Sequence, residues 1–244
     1  MVALTRAEAA AKVMVALDYP NAAAAEQLLE QINGIPCYIK VGMQLYYAAG
    51  PGFVEKLKSR GFHIFLDLKM HDIPNTVKGG ASSIAALGVD MFNVHAAGGK
   101  AMMEAAMEGV SLAGSSDNRP TVIAVTQLTS TSQLVMNEEI GIPGTVEDTV
   151  IHYARLAKQA GLDGVVASPS EVVAIKAACG SSFQTVTPGI RPAGAALNDQ
   201  TRIMTPGEAL RQGTDFMVIG RPITSAPDPR QALESIIEEL VSHE

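Results

Sequence analysis

Eight short apolar segments recur along the chain, and most of them end in a polar residue or a glycine. They occupy residues 13–18, 37–42, 63–69, 89–95, 121–126, 163–168, 183–189 and 215–221. The apolar positions within each segment are consecutive and do not alternate with polar ones, which is typical of strands buried on both faces. The pattern therefore predicts a parallel sheet that is covered by helices.

Helical patterns lie between these strands. The clearest are an Ala-rich segment at 21–31, a segment at 53–59 after Pro51-Gly52, a segment at 145–160 that opens with Thr145 and Asp148 as a capping box, and the C-terminal segment from Pro229. In the last of these, apolar residues recur every three or four positions, which indicates an amphipathic helix.

Eight strands that alternate with helices over 244 residues predict a single (β/α)8 TIM barrel. We expect residues 1–244 to form one catalytic domain with its active site at the C-terminal ends of the strands. A doubly wound open sheet is the alternative fold, but the first strand is not followed by the GxGxxG pattern that such a sheet carries.

Composition and charge narrow the classes of partner. The net charge is −7 and the pI about 5.3, which argues against nucleic acid or an anionic membrane as the main partner. There are two cysteines, and neither has a second Cys or a His at metal-ligand spacing. With no apolar stretch of signal-peptide or membrane-spanning length, the sequence predicts a cytoplasmic protein without a metal site.

Charged and polar residues stand at the ends of several predicted strands, and a barrel brings those ends to one mouth. They are Asp18, Lys40, Asp67, Lys69, His95 and Thr126, with Arg191 and Arg221 in the following loops. Asp67 and Lys69 are two positions apart on an extended segment, so their side chains leave on the same side. Together with Asp18 and Lys40, they are expected to form a site in which carboxylates and ammonium groups alternate.

The carboxylates that flank Lys69 suggest its chemical role. Opposite charges keep an ammonium group protonated, so Lys69 suits a general acid better than an amine nucleophile. An aldolase that forms a Schiff base on Lys69 is therefore disfavoured. At the other side of the mouth, Gly220-Arg221 follows the eighth strand, where barrels frequently bind phosphate, and Arg191 lies on the neighbouring loop.

Two connections are longer than a barrel needs, namely 127–144 after the fifth strand and 189–205 after the seventh. Both leave the C-terminal ends of strands, and long loops at this face usually carry function.

Several motifs, in chain order, resemble the orotidine 5′-phosphate decarboxylase family of the bacterial type. They are ALD at 16–18, IKVG at 39–42, DLKMHDIPNT at 67–76, LTS at 128–130, PGIRP at 188–192 and IGRP at 219–222. The resemblance extends from the first strand to the eighth.

The resemblance implies decarboxylation of orotidine 5′-phosphate to uridine 5′-phosphate without a cofactor or metal. Lys69 then protonates C6 of the pyrimidine beside Asp67, and Asp18 and Lys40 bind the ribose hydroxyls. The remaining roles that it implies are base recognition by Thr129 or Ser130 and phosphate binding by Arg191, Gln200, Gly220 and Arg221.

The resemblance also implies a homodimer with shared sites. In it, Asp72 and Thr76 reach the active site of the neighbouring subunit, so that Asp72 completes the catalytic group of Lys40, Asp67 and Lys69 there. The loop at 189–203 is expected to close over the bound phosphate.

Two alternatives stay open on sequence alone. Mg2+-dependent barrels that decarboxylate 3-keto-gulonate 6-phosphate or make hexulose 6-phosphate share the Asp-x-Lys-x-x-Asp element. However, their second strand ends in a metal-binding glutamate where this chain has Lys40, and they lack the Ile-Pro-Asn-Thr continuation. A catalytically silent nucleotide-binding barrel is the other alternative, although this chain retains Lys69 and both aspartates.

Overall fold

A computed structural model of the chain describes residues 4–114, 119–192 and 204–242. Its centre is a closed barrel of eight parallel strands, in which each strand pairs with its neighbours in chain order and β8 returns to β1. The strands are β1 (Val13–Leu17), β2 (Tyr38–Gly42), β3 (His63–Met70), β4 (Met91–His95), β5 (Thr121–Val125), β6 (Gly164–Val166), β7 (Gln184–Thr187) and β8 (Phe216–Ile219). The predicted TIM barrel is confirmed.

Helices follow the strands and cover the outside of the barrel. They are α1 (Arg6–Ala11), α2 (Ala22–Gln31), α3 (Met43–Ala49), α4 (Pro51–Ser59), α5 (Pro74–Ala86), α6 (Gly99–Ala113), α7 (Val146–Gln159), α8 (Val172–Cys179), α9 (Pro206–Arg211), α10 (Arg221–Thr224) and α11 (Pro229–Ser242). Thr145 caps α7 by accepting a hydrogen bond from the backbone N–H of Asp148, as the sequence predicts.

The strands are buried on both faces, which accounts for their continuous apolar runs. One set of strand side chains packs against the helices in the main hydrophobic core. The alternate set fills the barrel interior with an apolar layer formed by Met14, Phe65, Met91, Ile123 and Val186. Residues two positions further along each strand from this layer therefore point inward at the C-terminal mouth.

Strands β6, β7 and β8 each end two residues earlier than predicted. Strand β8 stops at Ile219 because Gly220, with φ −106° and ψ −107°, turns the chain out of the sheet and Arg221 opens α10. Strand β6 stops at Val166 because Ser168 and Glu171 form a capping box around a short 3-10 turn. The long connection at 127–144 is also more regular than predicted, since Val135–Glu139 forms a turn of π-helix.

Candidate active site

A cavity of about 740 Å³ opens at the C-terminal ends of the strands. Its walls contain nine of the side chains or backbone segments that the sequence predicts for the site: Asp18, Lys40, Asp67, Lys69, Thr129, Ser130, Arg191, Gly220 and Arg221. Ligand cavities of barrels lie at this face, and the volume suits a small molecule.

A row of alternating charges forms one wall of the cavity. Lys40 Nζ lies 3.1 Å from Asp18 Oδ1 and 3.4 Å from Asp67 Oδ2, and Lys69 Nζ donates to Asp67 Oδ1 at 2.6 Å. The structure thus brings four predicted residues from three neighbouring strands into one chain of contacts, in the alternating order expected from the sequence. Lys40 and Asp67 are buried, whereas Asp18 is exposed to solvent.

Asp67 is held in its charged form despite its burial. Burial by itself raises the pKa of this carboxyl group, but the charges of Lys40 and Lys69 and the hydrogen bonds from Lys69 and Asn93 outweigh it. The pKa of Asp67 therefore lies below the usual value of an aspartate.

The backbone at Lys69 has an unusual conformation. Its φ is +52°, and among the described residues it is the one non-glycine residue with a positive φ. Asn93 on β4 contacts this region: its Oδ1 accepts from the Lys69 backbone N–H at 2.8 Å, and its Nδ2 donates to Asp67 Oδ1 at 2.7 Å. The sequence analysis missed Asn93, although its signal is present in the sequence as a polar residue in the middle of the apolar run VDMFNVH.

Two arginines, Arg191 and Arg221, lie near each other in the cavity wall. Arg191 is 6% exposed, and its Nε has no hydrogen-bond partner within the described ranges. Burial and the neighbouring positive charge of Arg221 both lower the pKa of Arg191. Two adjacent guanidinium groups, one with a buried N–H to offer, form a favourable site for an anion.

The loop after β5 carries Gln127, Leu128, Thr129 and Ser130 into the cavity wall. Its far end is closed by hydrogen bonds from Gln133 Nε2 and Asn137 Nδ2 to the carbonyl of Gly144, at 2.6 and 3.1 Å. These hydrogen bonds connect the two ends of the segment 133–144.

Two predicted site residues that the structure describes, Asp72 and Thr76, do not line this cavity. Both lie in the exposed segment 71–76, which runs from the end of β3 into the first turn of α5. Asp72 Oδ1 accepts from the backbone N–H of Ile73 at 2.6 Å. Gln200 lies outside the described residues. The dimer prediction that concerns Asp72 and Thr76 stays a prediction.

Two other strand-end residues were expected at the mouth but do not line the cavity. Thr126 is buried and donates from Oγ1 to the carbonyl of Val166 at 2.9 Å. His95 lies at the end of β4 beside His71, with 5.6 Å between the ring centroids. Burial lowers the pKa of His95, and the charges of His71 and Lys69 lower it further, while Asp67 acts in the opposite direction.

The sequence analysis also missed part of the cavity wall. Tyr19, Thr224 and Ser225 contribute polar groups, and the inward-facing residues Phe65, Val125, Val166 and Val218 form an apolar floor. The floor follows from strand alternation, because Phe65 stands two positions before Asp67. The polar groups lie beyond strand ends, where the sequence pattern gives no direction for the side chains.

Neither a cluster of metal ligands nor a reactive thiol belongs to the cavity in the described part of the chain. Within residues 4–114, 119–192 and 204–242, no group of three His, Cys, Asp or Glu side chains is arranged to hold a metal ion. Cys37 and Cys179 are buried and unpaired, and burial raises the pKa of the Cys37 thiol to about 12. Neither thiol lines the cavity.

Comparison with known proteins identifies the family. A model of the orotidine 5′-phosphate decarboxylase / HUMPS family matches residues 11–236. The chain belongs to this family.

Individual relatives agree with the family match. An orotidine 5′-phosphate decarboxylase of Moorella thermoacetica is 52% identical over 239 residues, which cover 97% of this chain and 95% of that protein. The corresponding protein of Bacillus cytotoxicus is 50% identical over 93% of this chain and 96% of its own length.

Solved structures of similar proteins have the same fold. A crystal structure of orotidine 5′-phosphate decarboxylase from Lactobacillus acidophilus matches with a TM-score of 0.84 and 42% identity, covering 93% of this chain and 98% of that one. An uncharacterised conserved protein from Geobacillus kaustophilus matches with the same TM-score and 45% identity, over 93% of this chain and 99% of that one.

No helix among the described residues is long and apolar enough to cross a bilayer.

Proposed function

We propose that this protein decarboxylates orotidine 5′-phosphate to uridine 5′-phosphate, as the names of its relatives indicate for them. The observation that carries the proposal is the contact chain Asp18–Lys40–Asp67–Lys69 in the cavity wall. This row of contacts combines a proton donor with a carboxylate beside the reacting carbon. The polypeptide that carries it belongs to the decarboxylase family.

In the proposed reaction, the bond between C6 and the substrate carboxylate breaks and CO2 leaves without the bonding electron pair. The pair remains on C6, where the Lys69 ammonium group stabilises it electrostatically and then donates a proton. The amine that remains on Lys69 regains a proton from solvent, so no electron acceptor is required. Asp67 holds Lys69 in place through their 2.6 Å hydrogen bond.

The rest of the substrate is proposed to span the cavity. Asp18 and Lys40 bind the ribose hydroxyls, Thr129 or Ser130 binds the edge of the base, and Arg191, Gly220 and Arg221 bind the phosphate. The unpartnered Nε of Arg191 supports an anion at that end. Gln200 belongs to the same proposed phosphate site. Binding of the remote phosphate supplies energy that is used at the reacting carbon.

The proposed biological unit is a homodimer in which Asp72 and Thr76 complete the partner's site. Support comes from the exposure of the whole segment 71–76, which includes an apolar residue, Ile73, that is 66% exposed. Met43, which opens α3 after the neighbouring strand, is also exposed at this end of the barrel. Exposed apolar side chains beside the cavity suit a surface that a second subunit covers.

The proposed place of action is the cytoplasm, where reduced cysteines such as Cys37 and Cys179 are the rule.

The metal-dependent alternative within this family is disfavoured by the position of Lys40. Its ammonium group lies between the carboxylates of Asp18 and Asp67, where a divalent cation would have to bind. A positive side chain at that place already neutralises the carboxylates that a metal ion needs.

The test is to incubate orotidine 5′-phosphate with purified protein and EDTA while following the ultraviolet absorbance of the orotate chromophore. We expect the absorbance to fall as uridine 5′-phosphate appears by chromatography. A Lys69→Ala preparation, purified identically, controls for a contaminating enzyme. Turnover only after Mg2+ is added, with a keto-sugar phosphate as substrate, would establish the metal-dependent activity in its place. No turnover of either substrate would favour a silent binding barrel.

A further inference from the structure

Strand β3 contains a bulge at the residues that carry the site. Leu66 pairs with Phe92 and Met70 pairs with Val94, so three residues of β3 (Asp67, Leu68 and Lys69) lie opposite a single residue of β4, Asn93. A bulge interrupts the backbone ladder, and bulges occur preferentially next to active sites. The bulge lies at Asp67 and Lys69, and it leaves their backbone without regular pairing to β4, although Asp67 still pairs with Gly42 of β2.

The conformation of Lys69 adds to the energetic penalty of the bulge. A left-handed φ at a residue with a side chain is sterically unfavourable, and it persists only where surrounding contacts impose it. The hydrogen bond from the Lys69 backbone N–H to Asn93 Oδ1 is such a contact. It replaces the ladder bond that the bulge removes.

The second half of the Asn93 amide holds the carboxylate. Nδ2 donates to Asp67 Oδ1, the same oxygen that accepts from Lys69 Nζ. Asn93 is 1% exposed, so neither of its polar atoms has water as an alternative partner. The one amide therefore fixes the backbone of the lysine and the side chain of its carboxylate partner.

We propose that Asn93 is a positioning residue: it braces the β3 bulge so that the Lys69 ammonium group and the Asp67 carboxylate meet the reacting carbon in a fixed geometry. The inference rests on the proposed function and adds to it a residue that does not line the cavity. An amide fits the position, because it offers an acceptor to the backbone N–H and a donor to the carboxylate at the same time. Leucine has a similar shape but satisfies neither partner, and a carboxylate satisfies the backbone N–H while repelling Asp67.

The experiment compares Asn93→Leu with Thr187→Val. Thr187 is equally buried on a barrel strand and donates one side-chain hydrogen bond, to the carbonyl of Phe216 at 3.3 Å, so it matches the loss of a buried polar group outside the charged row. For Asn93→Leu we expect kcat to fall about 100-fold, because small displacements of catalytic groups have effects of this size. KM should change by less than about threefold, since the groups that bind ribose and phosphate are intact. Thr187→Val should alter neither constant by more than about threefold.

A pH series distinguishes the proposed positioning role of Asn93 from a simple loss of side-chain packing at this position. In Asn93→Asp, the new carboxyl group offers both a donor and an acceptor once it is protonated, and it faces Asp67 and Lys69 from β3, Lys40 from β2 and His95 from its own strand. We expect kcat of this variant, relative to wild type, to rise between about pH 8 and about pH 5, and that of Asn93→Leu to stay flat. A flat ratio for both variants, or a kcat of Asn93→Leu within threefold of wild type, would overturn the proposal.

A structural readout keeps this test separate from the proposed function. In a crystal structure of Asn93→Leu we expect Lys69 to lose its positive φ and the 2.6 Å contact of its Nζ with Asp67 Oδ1. If both persist in the variant, Asn93 does not brace the bulge, whatever the substrate is. If they are lost but the wild-type protein fails to decarboxylate orotidine 5′-phosphate, the bracing stands and the proposed function is wrong.

Discussion

At the scale of single residues, Lys69 combines two unfavourable properties. Its ammonium group is partly withdrawn from solvent between the row of carboxylates and the apolar floor, and its backbone is left-handed. Glycine is the residue that adopts such a φ without a steric penalty. The backbone conformation alone favours glycine at position 69. The lysine found there is therefore explained by a requirement for its side chain.

This contrast leads to a prediction for two variants, Lys69→Ala and Lys69→Gly. Both should abolish turnover of orotidine 5′-phosphate while leaving binding of uridine 5′-phosphate measurable, because both remove the proton donor and keep the phosphate site. Lys69→Gly should have a free energy of unfolding about 1 kcal/mol higher than Lys69→Ala, because only alanine retains the steric strain of a positive φ. Urea unfolding and a turnover assay check the two parts separately.

Retained turnover in either variant would exclude Lys69 as the acid. Equal stability of the two variants would mean that the backbone relaxes when the lysine side chain is lost, so that the side chain itself imposes the strain.

At the scale of elements, an aspartate that joins two neighbouring strands recurs at the N-terminal end of the barrel, opposite the cavity. Before β4, β6 and β8 the chain has Gly-x-Asp, in which the glycine has a positive φ and ends the preceding helix. Each aspartate accepts a hydrogen bond from the backbone N–H near the start of the preceding strand and pairs with a cation. The sets are Asp90 with Ile64 and Lys58, Asp163 with Val122 and Arg119, and Asp215 with Thr185 and Lys176. These carboxylates tie adjacent strands together at the end of the barrel that serves stability.

The prediction for this arrangement is that Asp163→Ala lowers the free energy of unfolding by about 1 to 3 kcal/mol, because it leaves the N–H of Val122 without its side-chain partner and breaks the paired hydrogen bonds with Arg119. Turnover should not change, since Asp163 precedes β6 at the end opposite the cavity. Urea denaturation of the variant and of Glu104→Ala measures the effect.

Glu104 is the matched control because it forms an exposed ion pair with Lys100 on one helix, at 3.1 Å, and such pairs contribute less than about 1 kcal/mol. Equal losses in the two variants would mean that the Gly-x-Asp carboxylate acts only as a surface charge.

At the scale of the whole molecule, periodicity predicts the barrel, and chemistry at the strand ends predicts most of the charged row. Both succeed because a strand buried on two faces must be apolar throughout, so that Lys40 or Asp67 stands out in its run. The bulge at Lys69 and the bracing contact of Asn93 were not predicted, since the register of β3 against β4 depends on tertiary pairing.

Helix α6 was not predicted either. Its Gly109 packs so closely on α5 that an added Cβ would lie 2.1 Å from the carbonyl oxygen of Lys78, a requirement that one sequence does not reveal.

The segment 71–76 connects the element scale to the proposed assembly. It leaves the bulged end of β3 and enters α5 with six consecutive exposed residues, and Asp72 among them does not line the cavity of its own barrel. A carboxylate beside a catalytic strand but outside the catalytic cavity is explained if a second copy supplies the site that it completes. Cyclic dimers place the same surface of each subunit against the other, so one such segment serves each of two sites.

This arrangement predicts complementation between two inactive variants. Asp72→Ala and Lys40→Ala homodimers should each have little turnover, because every site lacks one charged group. In a mixed dimer, one site combines the intact Lys40 of one subunit with the intact Asp72 of the other, while the second site carries both defects. After subunit exchange at equal concentrations, about half of the dimers are mixed and each has one intact site, so activity should recover to about a quarter of the wild-type value per protomer.

A mixture of Lys40→Ala with Lys69→Ala is the control: both defects lie in the same barrel's row, so no intact site forms and no recovery is expected. If the Asp72→Ala and Lys40→Ala mixture also stays inactive while labelled subunits demonstrably exchange, Asp72 acts within its own subunit and the shared site is wrong.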